Sequence, residues 1–181
     1  MKILAFAGSL RTGSFNKSLL RASKELAPEE MEIHIFDLEG IPLFNADVEE
    51  EGDPERVTAF KESIRTADGI LIASPEYNHG MTGVTKNAID WASRSAKDAP
   101  ISGKPAAVFG ASPSVTGTAR SQDQLRQSLK SVNVRCMPQP EFLLFRAHEK
   151  FDSQGNLEDL SSQKFLKKFL QACSNWVKSF E

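Results

Sequence analysis

The sequence has few cysteines, a single tyrosine and almost no net charge. Its two cysteines, Cys136 and Cys173, stand far apart. They are too few for a disulfide framework and too distant for a CxxC redox or zinc motif. Twenty-two basic and 24 acidic residues give a formal net charge of −2. This charge provides no positive electrostatic potential that would attract nucleic acid or an anionic lipid surface. The composition therefore excludes a nucleic-acid partner and a disulfide scaffold.

Long hydrophobic runs are also missing. The apolar run over residues 3–7 is followed by Gly8, so it is shorter than the roughly 20 residues of a bilayer span and the roughly 7–15 residues of a signal-peptide core. No pair of the three histidines has metal-ligand spacing. With 40% hydrophobic and 25% charged residues, we expect one globular domain over residues 1–181, located in the cytoplasm, with no membrane partner and no metal.

What the sequence does contain is a regular alternation of strand and helix patterns. Short continuous apolar runs at residues 3–7, 70–73 and 106–109 are typical of strands in a parallel sheet covered on both faces. Residues 32–37 and 134–137 predict two further strands. The pattern predicts an α/β fold: a flavodoxin-like, doubly wound, five-stranded parallel sheet in the order 2-1-3-4-5, with helices on both faces.

Helical periodicity fills the intervals between these strands. It predicts helices over residues 17–26 and from residue 83 to about residue 95, and others that carry the stripes Val57, Phe60, Ile64 and Leu125, Leu129, Val132. The acidic segment over residues 47–53 is expected to be a solvated loop. The last helix is expected to bury one stripe made of Phe165, Phe169, Cys173, Trp176 and Phe180.

Ligands in open α/β sheets bind beyond the carboxyl ends of the strands, which selects the loops after the first, third and fourth strands. The first of these, over residues 8–16, reads GSLRTGSFN and opens a helix. Backbone N–H groups at a helix N-terminus, together with the guanidinium of Arg11, favour an anionic ligand such as a phosphate. The loop is neither a Walker A loop nor a GxGxxG motif. The alternative is an ordinary turn with Ser14 as the N-cap.

The loop after the third strand reads SPEYNHGMTG over residues 74–83 and holds the only tyrosine, Tyr77. A loop stiffened by proline, with an aromatic ring at its tip, is suited to a flat heterocycle, although a plain surface turn is an equal alternative. Glu76 could serve as an acid or base, but a loop carboxylate is more often solvated or paired. The small polar loop over residues 110–120 could close over the same ligand.

These segments resemble the NADPH-dependent FMN reductase family, and within it the quinone and chromate reductases. The resemblance extends over nearly the whole chain and is carried by GSLRTGSFN at 8–16 and SPEYNHGMTGVTKNAIDWASR at 74–94. Two positions differ, because many members have an aromatic residue in place of His79 and a proline in place of Thr82. By position, the resemblance implies a flavin site made of Ser9, Arg11, Ser14, Phe15, Asn16, Pro75, Glu76, Tyr77, Asn78, His79 and Ser112.

The resemblance also implies an activity. It implies bound FMN, NADPH or NADH as the electron donor, and a quinone, chromate or similar acceptor, in a ping-pong cycle that needs no catalytic side chain. It also implies a homodimer or homotetramer. The helix after the third loop has a wide apolar arc that is either core or part of the subunit contact, made of Val84, Thr85, Ala88, Ile89, Trp91, Ala92 and Ala96. Arg120 and Glu141 are further candidate charges at that contact. The alternatives are an electron carrier of the flavodoxin type, which is usually strongly acidic, and a non-catalytic flavin-binding module.

Overall fold

The fold alternates strands and helices from the first residues to the last. The computed structural model describes residues 1–95 and 97–180. A short 3₁₀ helix, Ala147–Glu149, follows the last strand. In chain order the other elements are β1 (Lys2–Ala7), α1 (Phe15–Leu26), β2 (Glu32–Ile35), α2 (Ala46–Glu51), α3 (Glu55–Thr66), β3 (Gly69–Ala73), β4 (Glu76–Tyr77), β5 (Gly80–Met81), α4 (Gly83–Ala92), β6 (Pro105–Ala111), α5 (Ala119–Ser131), β7 (Arg135–Cys136), β8 (Phe142–Leu144) and α6 (Leu160–Lys178).

The main sheet is parallel and has the order β2-β1-β3-β6-β7, with β8 also paired to β6. This confirms the predicted order. The last position is shared: β7 pairs with the start of β6 and β8 with its end. The predicted strand over residues 134–137 is therefore too long, and β8 was not predicted. Pro138 and Pro140 lie between the two pieces and lack the N–H that a continuous ladder requires.

Helices cover both faces of the sheet, as expected. Along β1, Ile3 and Ala5 pack in one core with residues of α1 and α6, whereas Leu4 and Phe6 pack in a second core with residues of α3, α4 and α5. The alternation follows from the two-residue period of a strand. Both faces of the central strands are thus apolar, which explains their uninterrupted hydrophobic runs.

Three helix predictions need correction. Helix α1 begins at Phe15 rather than residue 17, because Ser14 provides the N-cap. The acidic segment contains a short helix, α2, whose N-cap Asn45 accepts a hydrogen bond from the amide of Asp47. Helix α4 ends at Ala92 instead of near residue 95, and the hydroxyl of Ser93 donates to the carbonyl of Asp90 at this end.

The apolar stripes of α4 and α6 also differ from the expectation. Phe165 in α6 and Phe180, beyond the end of this helix, are exposed, and Trp176 is half-buried. The buried stripe contains Leu166, Phe169, Leu170, Cys173 and Val177. In α4, Thr85, Ala88, Ile89, Trp91 and Ala92 are buried within the chain itself. The arc is therefore mainly core, and only Val84 remains half-buried. Ala96, the last residue of the predicted arc, lies outside the described residues.

No helix in the described part of the chain is long and apolar enough to cross a membrane. Within residues 1–95 and 97–180, no group of three or more histidine, cysteine, aspartate or glutamate side chains could hold a metal ion. Both cysteines are free thiols, Cys173 buried and Cys136 half-buried. Burial raises the pKa of the Cys173 thiol to about 12 and also raises that of Cys136.

Candidate functional site

The loops after β1, β3 and β6 meet in one cleft at the carboxyl edge of the sheet. Its volume is about 340 Å³. It brings together all the site residues predicted from the sequence except Asn78 and His79. The lining residues are Ser9, Arg11, Ser14, Phe15, Asn16, Pro75, Glu76, Tyr77, Ala111, Ser112, Pro113 and Ser114. Three lining residues were not among the predicted site residues, although they lie in the predicted loop over residues 110–120: Ala111, Pro113 and Ser114.

One end of the cleft is the turn that leads into α1. Ser14 caps this helix by accepting a 3.4 Å hydrogen bond from the amide of Lys17. In the part of the chain that the structure describes, the backbone N–H groups of residues 12–16 have no acceptor, and Arg11 forms no ion pair. Free amides at a helix N-terminus and an unpaired guanidinium are the groups that bind a phosphate. The same turn therefore contains both the N-cap and the groups suited to an anion.

Gly8 allows the first loop to lie directly against the start of α4. A Cβ at this position would overlap the hydroxyl of Thr85. The Thr82 hydroxyl donates to the carbonyl of Gly8 at 2.7 Å and also accepts from the amide of Thr85. Thr82 is thus both the N-cap of α4 and the link between two walls of the cleft. A proline, the residue expected from the resemblance, could make neither bond.

Asn16 connects the first loop with the end of β6. Its side-chain amide donates to the carbonyl of Ala111, and its side-chain oxygen accepts from the amide of Ala111. The residue is 3% exposed. Next to it, Phe15 is half-buried and stacks on Phe151, with ring centroids 5.8 Å apart. Both side chains therefore form part of the wall of the cleft, Asn16 through its hydrogen bonds and Phe15 through ring stacking.

The loop after β3 folds into a small antiparallel hairpin of β4 and β5. Its two turn residues, Asn78 and His79, have φ values of 51° and 63°. Positive φ at both central residues is the conformation of a type I′ turn, which matches the twist of a hairpin. Both side chains are exposed and lie outside the cleft. Tyr77, 59% exposed, remains at the cleft wall.

Glu76 lies at the N-terminus of α5. One carboxylate oxygen accepts from the amides of Arg120 and Ser121 at 3.0 and 3.2 Å, and the other lies 3.6 Å from the guanidinium of Arg120. Thr118, the residue before this helix, makes no side-chain cap of its own. Glu76 therefore supplies both the missing cap and a negative charge at the positive end of the helix dipole. Because the carboxylate of Glu76 is held by these contacts, an acid or base role for it is disfavoured. The same contact pairs Arg120, a predicted interface charge, within the chain.

Another wall of the cleft is formed by the turn after β6. The hydroxyl of Ser112 accepts a 3.1 Å hydrogen bond from the amide of Ser114. Its own amide donates to the carbonyl of Leu144 in β8. The unpredicted strand β8 thus fixes the position of Ser112 at the cleft.

The fold and the cleft together define the class: a flavodoxin-like protein with a helix N-terminus, a basic side chain and an aromatic loop at one sheet edge. Sequence and structure comparisons specify it further. Residues 1–149 match the family described as NADPH-dependent FMN reductase. The chain therefore belongs to the NADPH-dependent FMN reductase family, whose members are FMN-linked, NAD(P)H-dependent oxidoreductases. The carrier and the non-catalytic module considered from the sequence are not supported by this match.

Three relatives illustrate the similarity. The chain is 47% identical to an NAD(P)H-dependent FMN reductase of Pseudomonas aeruginosa, over 98% of this chain and 96% of the relative. It is 39% identical to a 2-hydroxy-1,4-benzoquinone reductase of Burkholderia sp, over 98% and 97% of the two chains. Among solved structures it resembles FerB, a flavoenzyme NAD(P)H:(acceptor) oxidoreductase of Paracoccus denitrificans. The TM-score is 0.91 with 35% identity, over 98% of this chain and 97% of that one.

Proposed function

We propose that the protein reduces quinones with electrons from NAD(P)H and that its FMN lies in the cleft at the carboxyl edge of the sheet. The observation that carries this proposal is the pairing, in one cleft, of a phosphate-binding turn with an exposed aromatic ring, Arg11 at one wall and Tyr77 at another. A quinone acceptor is supported by the similarity to the 2-hydroxy-1,4-benzoquinone reductase.

The residues of the cleft fit FMN by their chemistry. The free amides of residues 12–16 and the guanidinium of Arg11 suit the phosphate. Ser9 and Ser112 add hydroxyl groups for the ribityl chain, and Tyr77 and Pro75 offer a flat, partly apolar surface for the ring system. When bound, FMN supplies the two-electron chemistry by accepting a hydride from NAD(P)H and reducing the acceptor.

The side chains of the cleft act by binding and by excluding water, not by moving a proton. Its lining contains no histidine or cysteine. Its one carboxylate, that of Glu76, is held by two backbone amides and by Arg120. Tyr77, 59% exposed, lines the cleft, and a donor and an acceptor that both use the surface beside it would bind there in turn. We therefore propose a ping-pong order.

Absorbance spectra and steady-state kinetics test this proposal. Purified protein should be yellow, or become so with added FMN, and should oxidise NADPH with a quinone without a separate reductase. Initial rates with both substrates varied should give parallel double-reciprocal lines. Intersecting lines would contradict the ping-pong order, and a colourless protein that binds no FMN would contradict the site. The acceptor panel includes chromate, which the resemblance to quinone and chromate reductases implies beside quinones.

We also propose a homodimer or homotetramer. The support is a small apolar cavity of about 240 Å³ beside the first loop, whose rim carries Leu10 and Leu43, 48% and 80% exposed. Large exposed apolar side chains next to an apolar cavity are typical of a protein contact. Light scattering should give two or four times the chain mass of 20.0 kDa, and Leu43→Asp should reduce it. A wild-type mass of one chain would refute the oligomer.

The cytoplasm is the proposed location. Cys136 and Cys173 are both free thiols, as is usual in a reducing compartment. Fractionation of cells that express the full chain at its native level, with blotting of each fraction, tests this. Recovery in a secreted or membrane fraction would contradict it.

A further inference from the structure

Helix α5 holds the Tyr77 hairpin by a second contact, which lies away from the cleft. The side-chain oxygen of Gln124 accepts a 2.7 Å hydrogen bond from the backbone amide of Met81, in β5. In the other hairpin strand the roles are reversed: the side chain of Glu76 belongs to the hairpin and accepts hydrogen bonds from the backbone amides of Arg120 and Ser121 in the helix. Each strand of the hairpin is thus fastened to the same helix by one side chain.

Gly80 makes the Gln124 contact possible. A Cβ on Gly80 would lie 2.6 Å from the side-chain oxygen of Gln124, which is closer than real Cβ atoms approach another atom. The side-chain amide therefore occupies the space that any other residue at position 80 would need. Although Gln124 lies on the exposed side of α5, its side-chain oxygen is held directly against the backbone of the hairpin.

The hairpin needs such support because it is very short. Each of its strands has two residues, and an isolated two-stranded hairpin is at best marginally stable in water. Tyr77 is more than half exposed, so its place is decided by the backbone that carries it and not by burial of its ring. Movement of the hairpin would move Tyr77 directly.

Helix α5 also follows the turn that carries Ser112, which forms another wall of the cleft. The contacts of Gln124 and Glu76 therefore join two walls through one helix. We propose that Gln124 is a positioning residue for the flavin: it fixes Tyr77 at the cleft although it does not line the cleft itself. This inference rests on the proposed function, since it takes the cleft to be the FMN site.

The test compares Gln124→Ala with Gln124→Glu, which keeps an acceptor oxygen at nearly the same place. Asp123→Ala is the matched control, because Asp123 is an exposed neighbour in α5 that makes no side-chain hydrogen bond to any described residue. We expect Gln124→Ala to weaken FMN binding about 3- to 10-fold, the usual effect of one lost hydrogen bond. Gln124→Glu should restore the affinity to within about twofold, and Asp123→Ala should leave it unchanged.

A second readout needs no flavin. Because Tyr77 is the only tyrosine, protein with isotope-labelled tyrosine gives NMR signals from the hairpin alone. In the FMN-free protein, Gln124→Ala should shift or broaden these signals and speed hydrogen exchange at the Met81 amide. Gln124→Glu should preserve both. If Gln124→Ala fails to fold, Gly80→Ala, which displaces the same side chain, replaces it.

The outcomes separate this inference from the proposed function. Wild-type protein that binds no FMN would refute the proposed site, and the tyrosine signals would still test the Gln124 contact. Wild-type binding with unchanged affinity in Gln124→Ala would overturn the positioning role, even if hydrogen exchange increased. An equal loss in Asp123→Ala would overturn it as well, because the effect would then belong to the helix and not to the contact.

Discussion

The side chain of Asn16 forms two hydrogen bonds with the backbone of Ala111, one in each direction and each 2.9 Å long. The two residues are 95 positions apart. One belongs to the first turn of α1 and the other to the last residue of β6. The pair joins the turn that leads into α1 to the Ser112 turn, so the width of the cleft depends on it.

Replacing Asn16 by leucine should destabilise the protein. The N–H and C=O of Ala111 would remain buried without partners, and each unsatisfied group costs about 1–3 kcal/mol. We expect a loss of about 2–4 kcal/mol in the free energy of unfolding, measured by urea denaturation without FMN. The exposed Asn175, replaced by alanine, is the control and should change stability by less than about 0.5 kcal/mol. An Asn16→Leu value as small as the control would show that the pair does not support the fold.

Arg11 should contribute to FMN affinity and hardly to stability. It lines the cleft and forms no ion pair within the described residues. If its guanidinium makes charge-assisted bonds to the phosphate, Arg11→Ala should weaken FMN binding by about 10- to 150-fold. The control is Lys24→Ala, which removes an equal charge from the far end of α1. Equal affinities of Arg11→Ala and wild type in a fluorescence titration would remove Arg11 from the phosphate site.

His79 can be tested through the shape of its turn. Its φ of 63° is favourable for glycine and unfavourable for a β-branched residue. We expect His79→Gly to keep or raise the melting temperature and His79→Val to cost about 1–2 kcal/mol. FMN affinity should change less than about twofold in His79→Gly, since the side chain lies outside the cleft. A clear loss of affinity in this variant would instead assign the imidazole to the cofactor.

Glu30 should make the protein sensitive to acid. Its carboxylate accepts hydrogen bonds from Lys178 and Ser174 of α6, and these contacts lower its pKa from 4.5 to about 2. A depressed pKa means that the stabilisation is present above pH 4.5 and is lost as the pH falls from there towards 2. Melting temperatures over this range should fall more steeply for wild type than for Glu30→Gln. Glu29→Gln should follow wild type, and identical slopes for all three proteins would contradict the role of Glu30.

The sequence was informative where local pattern decides the structure. Continuous apolar runs located β1, β3 and β6, and the rule that ligands bind beyond strand ends selected the loops that form the cleft. Local pattern could not reveal contacts between distant segments. The cap that Glu76 provides to α5 joins residues 45 positions apart, and the bond between Gln124 and Met81 spans 43. Neither leaves a periodic signal. Strand β8 was missed for a related reason, because only its pairing with β6 makes three residues a strand.

The close approach of Gly8 and Thr85 has a consequence for protein engineering. Because no Cβ fits between them, the turn after β1 and the start of α4 form one interlocked unit. A transplanted loop over residues 8–16 that places a side chain at position 8 would need a smaller residue at position 85. A library that randomises position 8 alone would consist largely of variants whose side chain clashes with Thr85. Paired randomisation of positions 8 and 85 would allow other pairs of side chains to pack between the two segments.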